Sequence, residues 1–257
     1  MNKLRVTLVQ SDIIWERIDE NLSNFAQRIT LLANQTDIII LPEMFTTGFS
    51  MNPASVAEKM NGKTMEWLAH QAKAAAAVVT GSFVAEENGA YFNRLVWMQP
   101  DGKYYSYDKK HLFTLAKENE YYQAGTERLV VEWKGWKICP LICYDLRFPV
   151  WSRNNVGYDL LIYIASWPTP RTNAWQTLLA GRAIENQAYT IGVNRVGEDN
   201  NKLNYSGASS VIDYSGKTIY SAVEQEAIFT ATLDYEKQRH FRTKLNFLAD
   251  QDAFQLI

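Results

Sequence analysis

The amino-terminal segment alternates strand, helix and strand, and this order restricts the fold more than any other feature. Apolar strands cover LRVTLVQ, residues 4–10, and DIIILPE, residues 37–43. Between them, apolar residues recur at helical spacing: Leu22, Phe25, Ile29 and Leu32. A continuous apolar strand is typical of a sheet covered on both faces. The pattern therefore predicts a βαβ unit in a layered α/β fold.

The rest of the chain continues this alternation and adds hairpins. Helices are predicted over residues 62–76 and 172–188, with a short one begun by Pro149 and a polar one from Tyr235. Turn residues predict hairpins at Pro100-Asp101-Gly102, Lys134-Gly135 and Ser215-Gly216. Strands outnumber helices, which favours two packed sheets with helices outside.

The composition indicates one globular domain that acts on a small molecule. At 257 residues and 47% hydrophobic, the chain can bury a core as a single domain, residues 1–257. The formal charge is −2 and no stretch concentrates lysine and arginine, so we expect no nucleic-acid partner and no anionic membrane surface. No apolar stretch suits a membrane span or a signal peptide. We therefore expect a cytoplasmic protein.

The two cysteines of the chain, Cys139 and Cys143, lie in one apolar segment. Along an extended strand they are ~13 Å apart, too far for a disulfide. The histidines, His70, His111 and His240, are scattered without metal-ligand spacing, so no metal site is expected. Two free thiols suit a reducing compartment.

Three segments place a reactive residue where an apolar strand ends: Glu43 in LPEMF, Lys109 in YDKKHLF and Cys143 in LICYDLRF. Each alone has an ordinary explanation, a wet surface for the charges and a small core residue for the thiol. Cys139, inside the apolar run, keeps that explanation. Together the three offer a nucleophile, a base and a cation for a thiolate or oxyanion. His111 is nearby, so a Cys–His hydrolase is a rival.

These segments, together with EYYQAG, ASWPTPR and RAIENQAY, resemble the nitrilase, or carbon–nitrogen hydrolase, superfamily, and within it the omega-amidases. The resemblance implies a four-layer αββα sandwich, a homodimer or higher homo-oligomer, and no cofactor. It assigns Cys143 as nucleophile, Glu43 as general base and Lys109, rather than Lys110, as the catalytic lysine. A second family glutamate falls on Glu118.

Further residues are predicted to belong to the site. Glu120 is close enough to compete for the second-glutamate position, whose holder would orient the hydrolytic water. The backbone N–H of Tyr144 would help hold the oxyanion. Arg147 would grip a substrate carboxylate, although a surface ion pair is an equally ordinary role for it. Trp167 and Arg171 are weaker pocket candidates, and core packing explains Trp167 equally well.

The implied reaction is hydrolysis of the terminal amide of 2-oxoglutaramate or 2-oxosuccinamate through a cysteine thioester. The expected partner is thus a small amide that bears a carboxylate. Hydrolysis of N-carbamoyl amino acids or related amides uses the same nucleophile and stays open, because pocket shape decides among them. A catalytically silent binding module on the same fold is the alternative from another class.

Overall fold

The computed structural model describes residues 2–255 and consists of two mixed β-sheets flanked by helices. The strands are β1 Lys3–Gln10, β2 Ile38–Ile40, β3 Val78–Glu87, β4 Ala90–Met98, β5 Tyr104–Asp108, β6 Val131–Trp133, β7 Trp136–Ile142, β8 Leu160–Ala165, β9 Tyr189–Asn194, β10 Val196–Glu198, β11 Asn204–Ile212, β12 Thr218–Val223 and β13 Ala227–Asp234. The α-helices are α1 Ile18–Thr30, α2 Pro53–Val56, α3 Lys63–Ala75, α4 Glu118–Tyr121, α5 Pro149–Ser152, α6 Thr172–Asn186 and α7 Tyr235–Lys244. Among these residues no helix has the length and apolar character needed to cross a bilayer.

The first sheet has the order β13-β1-β2-β3-β4-β5, and the second has the order β10-β11-β9-β8-β7-β6, with β12 paired to β11. The central strands of each sheet, β1-β2-β3 and β7-β8-β9, run parallel. Antiparallel strands extend both sheets. Both sheets therefore present the carboxyl ends of parallel strands, where binding sites commonly form.

Alternation along β2 separates two cores. Ile38 and Ile40 pack into the core shared with the second sheet, while Ile39 packs against the helices α1 and α3. On the other side, α6 covers β9 and β11, as the packing of Trp175 and Leu179 shows. The layers are thus helix, sheet, sheet and helix, which confirms the αββα sandwich.

Most predicted elements are present with shifted ends. The three hairpins form, pairing β4 with β5, β6 with β7, and β11 with β12. The short helix begun by Pro149 is present and ends at Ser152. The segment YTIGVNRV, residues 189–196, forms two strands: β9 ends at Asn194, whose side chain accepts the N–H of Arg195, and β10 pairs separately with β11.

Candidate active site

The structure brings the three predicted strand-end residues together. Glu43 follows β2, Lys109 directly follows β5 and Cys143 directly follows β7. The Lys109 Nζ lies 2.9 Å from Glu43 Oε1, and both side chains are fully buried. Lys109 and Cys143 line the same cavity. Residues from both sheets therefore meet at one point between them.

Glu43 is held by three donors that leave one position open. Its Oε1 accepts from Lys109 Nζ at 2.9 Å and from Asn93 Nδ2 at 2.8 Å. Its Oε2 accepts the backbone N–H of Ser166 at 2.7 Å, which reaches across from the end of β8. A carboxylate offers about four lone-pair positions, two on each oxygen. The remaining position is on Oε2, and the Glu43 side chain also interacts with the Cys143 thiol.

Glu118 binds Lys109 from the other side. Lys109 Nζ lies 3.0 and 2.9 Å from the two Glu118 oxygens, which also accept from Asn93 Nδ2 and the Phe113 N–H. Glu118 is fully buried and does not line the cavity, whereas Glu120 is exposed and pairs with Lys117.

This geometry separates Glu118 from the water-orienting role suggested by the sequence, because protein donors fill its acceptor positions. Burial lowers the pKa of Lys109, but the charges of Glu118 and Glu43 outweigh it and raise that pKa above its ordinary value. Burial raises the pKa of Glu118 despite the attraction of Lys109. The two carboxylates therefore favour the charged form of Lys109, and Glu118 anchors its ammonium group.

Cys143 occupies a strained turn at the end of β7. Its φ is +43°, in the left-handed region that is costly for residues other than glycine. A 3₁₀ turn over Cys143–Arg147 begins there, and Asp145 Oδ2 accepts the Ile142 N–H at 3.0 Å. Tyr144 is the second residue of this turn, so its N–H has no partner within the turn. Cys143 and Tyr144 both line the cavity.

The two thiols differ in their surroundings. Burial and the negative charge of Glu43 raise the pKa of the Cys143 thiol, while Lys109 opposes the shift. These surroundings favour the neutral form of the thiol. Cys139 is fully buried, and burial raises its pKa to about 12. It packs in the core, as predicted.

Asp145 ties the cysteine turn to the segment that carries Lys109. It accepts from the Tyr107 hydroxyl at 2.7 Å and from the His111 N–H at 3.0 Å, and His111 Nδ1 lies 2.8 Å away. The His111 ring stacks on Phe148 at 3.7 Å and does not line the Cys143 cavity. His111 and Cys143 therefore do not form the Cys–His pair of the rival hydrolase hypothesis.

The cavity above Cys143 has a volume of about 300 Å³, within the range of small-molecule sites. Arg147 lies over the ring of Trp167 at 4.8 Å, and Arg171 lies over the ring of Phe113 at 5.3 Å. Among residues 2–255 neither guanidinium forms an ion pair with a carboxylate. Trp167 also donates its Nε1 to the Arg171 carbonyl at 2.8 Å, so it both packs and lines the site. The walls comprise Phe49, Met51, Lys109, Phe113, Ala116, Cys143, Tyr144, Arg147, Ser166, Trp167, Pro168, Arg171, Asp199, Asn201, Leu203 and Tyr205.

Sequence reasoning missed the wall built by the β10–β11 connection. Asp199 lines the cavity, but its oxygens accept from the N–H groups of Asn201 and Leu203 and from the Tyr205 hydroxyl at 2.8, 3.0 and 2.9 Å. Its charge is thereby stabilised within the loop. The unpaired positive charge in the cavity comes from the arginines, which suits an acidic ligand.

The fold and the Glu–Lys–Cys arrangement at the cavity define a hydrolase class, and the chain belongs to the carbon–nitrogen hydrolase family, whose model matches residues 5–243. It is 45% identical over 258 residues to "Omega-amidase YafV" of Yersinia enterocolitica, with 100% of both chains covered. It is 32% identical to "2-oxoglutaramate amidase" of Bacillus subtilis, over 96% of this chain and 97% of that one. A CN-hydrolase superfamily protein from Xanthomonas campestris, solved with an arsenic adduct in its active site, is 43% identical with a TM-score of 0.98 over 100% of both chains.

Proposed function

We propose that this protein is an omega-amidase, which hydrolyses the terminal amide of small ω-amido 2-oxo acids such as 2-oxoglutaramate and 2-oxosuccinamate. The observation that carries the proposal is a cavity lined by Cys143, Lys109 and two arginines that have no ion-pair partner among residues 2–255. The names of the relatives at 45% and 32% identity support the same activity.

Substrate binding begins with the carboxylate. A guanidinium binds a carboxylate through two parallel hydrogen bonds, and Arg147, stacked on Trp167, is placed to do so. Arg171 adds a second positive charge to the cavity. With the acid group held there, the far end of a short substrate reaches Cys143, so the amide carbonyl lies between the sulfur and Lys109.

In the first half-reaction, sulfur attacks the amide carbon as the Cys143 proton passes to Glu43 Oε2, the oxygen with the open lone pair. Lys109 and the Tyr144 N–H stabilise the oxyanion. Lys109 has three protons and three carboxylate contacts, so it gives up one Glu118 contact to donate. The carbon–nitrogen bond then breaks, the nitrogen takes the proton from Glu43, and ammonia leaves a thioester.

In the second half-reaction, water attacks the thioester carbon while Glu43 Oε2 takes a water proton. The carbon–sulfur bond breaks, the sulfur regains a proton from Glu43, and the dicarboxylic acid leaves. Glu118 holds Lys109 in both halves, and Asn93 and the Phe113 N–H occupy its other acceptor positions.

The compartment, the domain organisation and the oligomeric state of the enzyme are proposed as well. We place it in the cytoplasm because both thiols are free, and reducing compartments favour free thiols. We also propose that residues 1–257 act as one domain and that the subunits form a homodimer, by likeness to the family.

The test is ammonia release from a panel of ω-amides, N-carbamoyl amino acids and nitriles. The wild-type protein should prefer 2-oxoglutaramate or 2-oxosuccinamate, Cys143→Ala should be inactive, and Cys139→Ala and His111→Ala should keep the activity. Preference for N-carbamoyl amino acids would assign the enzyme to that substrate class instead of the ω-amides. No turnover on any compound would favour a binding module. An acyl adduct trapped on Cys143 and detected by mass spectrometry would identify the thioester.

A further inference from the structure

Asn93, in the middle of β4, contacts all three residues of the buried charged cluster, Glu43, Lys109 and Glu118. Its Nδ2 donates to Glu43 Oε1 at 2.8 Å and lies 3.4 Å from Glu118 Oε1. Its carbonyl accepts the N–H of Lys109 at 3.0 Å. Asn93 is fully buried and does not line the cavity. It therefore acts on the cluster without touching a bound substrate.

The contacts of Asn93 are important because the cluster contains more negative than positive charge. Two buried carboxylates share one ammonium group, and like charges at one buried site disfavour each other. Asn93 supplies a donor to both carboxylates without adding charge. Its own Oδ1 is buried and has no hydrogen-bond partner among the described residues. The side chain thus donates to the carboxylates while its own Oδ1 is left without a donor. Such a locally unfavourable arrangement is common at functional sites.

The donor also decides which oxygen of Glu43 can act as a base. Asn93 and Lys109 together occupy both lone pairs of Oε1, so only Oε2 can accept the thiol proton. Without Asn93, Oε1 has a free lone pair and the carboxylate can rotate about its terminal torsion, which is broad. We propose that Asn93 is a positioning residue that fixes Glu43 so that its Oε2 exchanges protons with Cys143.

This proposal rests on the proposed amidase reaction, so its test uses two readouts. Asn93→Leu keeps the approximate size and removes the donor. Its kcat should fall on the order of 10- to 100-fold, the usual effect of a small misplacement of a reacting group. KM and inhibition by the dicarboxylate product should stay unchanged. Alkylation of Cys143 by iodoacetamide at neutral pH, followed by mass spectrometry, should slow as well, and this needs no substrate.

A serine at the same position provides a graded comparison. Asn93→Ser leaves room for a water molecule that can replace the lost donor, so its kcat and alkylation rate should lie between those of wild type and Asn93→Leu. Asn154→Leu is the matched control, because Asn154 is also a buried asparagine whose Nδ2 donates to two acceptors, in its case the carbonyl oxygens of Tyr158 and Asn186. It should lower thermal stability without slowing alkylation.

Three results would overturn the proposal: wild-type kcat and alkylation in a folded Asn93→Leu, a rise in KM with kcat unchanged, or equal slowing in Asn154→Leu. If Asn93→Leu does not fold, Asn93→Ser decides alone, and wild-type rates in it refute the role. If the wild-type protein releases no ammonia, the amidase function fails. The alkylation rates then still show whether Asn93 positions Glu43.

Discussion

Replacing Lys109 by methionine tests the charged cluster most directly. Methionine is also unbranched and long, but it removes the three contacts of 2.9–3.0 Å with Glu43 and Glu118. Two fully buried carboxylates would then keep only Asn93 and backbone N–H groups as donors. Breaking a buried ion pair by removing one partner costs about 3–5 kcal/mol. For a chain of this size, the midpoint of thermal unfolding should fall by roughly 6–20 °C.

Lys109→Met should lose both activity and stability, and a second substitution that restores stability should not restore activity. Loss of an oxyanion donor lowers kcat by about 10²–10³. The double variant Lys109→Met/Glu118→Gln removes one of the stranded negative charges, so its unfolding midpoint should rise again while its kcat stays low. Thermal unfolding followed by circular dichroism and ammonia release measured below the midpoint give the two quantities.

The neighbouring lysine provides the control. Lys110→Met removes the same charge from a partly exposed residue outside the cluster, and it should change stability by only about 0.5 kcal/mol and leave activity intact. The reasoning would be refuted if Lys109→Met unfolded at the wild-type temperature. It would also be refuted if the double variant regained activity together with stability.

Two further predictions concern the substrate carboxylate and the second thiol. Arg147→Gln should raise KM for 2-oxoglutaramate by roughly 10- to 100-fold, the worth of a charged hydrogen bond, with little change in kcat; an unchanged KM would exclude its carboxylate role. Burial raises the pKa of Cys139 from 9.0 to about 12, so the stability from the neutral thiol is full below pH 9.0 and is lost as pH rises towards 12. Cys139→Ala should therefore show a shallower loss of unfolding free energy over that range in alkaline denaturation, and an equal slope would contradict the burial argument.

The sequence was sufficient to single out three candidate residues, because strand ends can be read from local patterns, while their roles came from the family resemblance. Glu43, Lys109 and Cys143 each follow an apolar strand, and the structure brings them together. The choice between Glu118 and Glu120 needed the structure, since both lie in α4 and only one faces Lys109.

The residues that sequence reasoning missed act through contacts between distant segments. Asn93 is a polar residue within the largely apolar segment YFNRLVWMQ. A polar residue in a strand predicted to be buried is the signal that could have identified it. The Ser166 N–H carries no signal in its side chain, because any residue there would supply it. Asp199 lies in a polar stretch typical of a surface loop, and only the fold places that loop against the cavity.

The position of the site between the sheets has a consequence for how the protein acquires activity. The first sheet supplies Glu43 and Lys109, the second supplies Cys143, and the Ser166 N–H that fixes Glu43 is 123 residues away from it. Contacts this distant in sequence form slowly, because the loop between them must close first. The nascent chain therefore contains Glu43 and Lys109 before Cys143, and the candidate active site is not assembled until the two sheets dock.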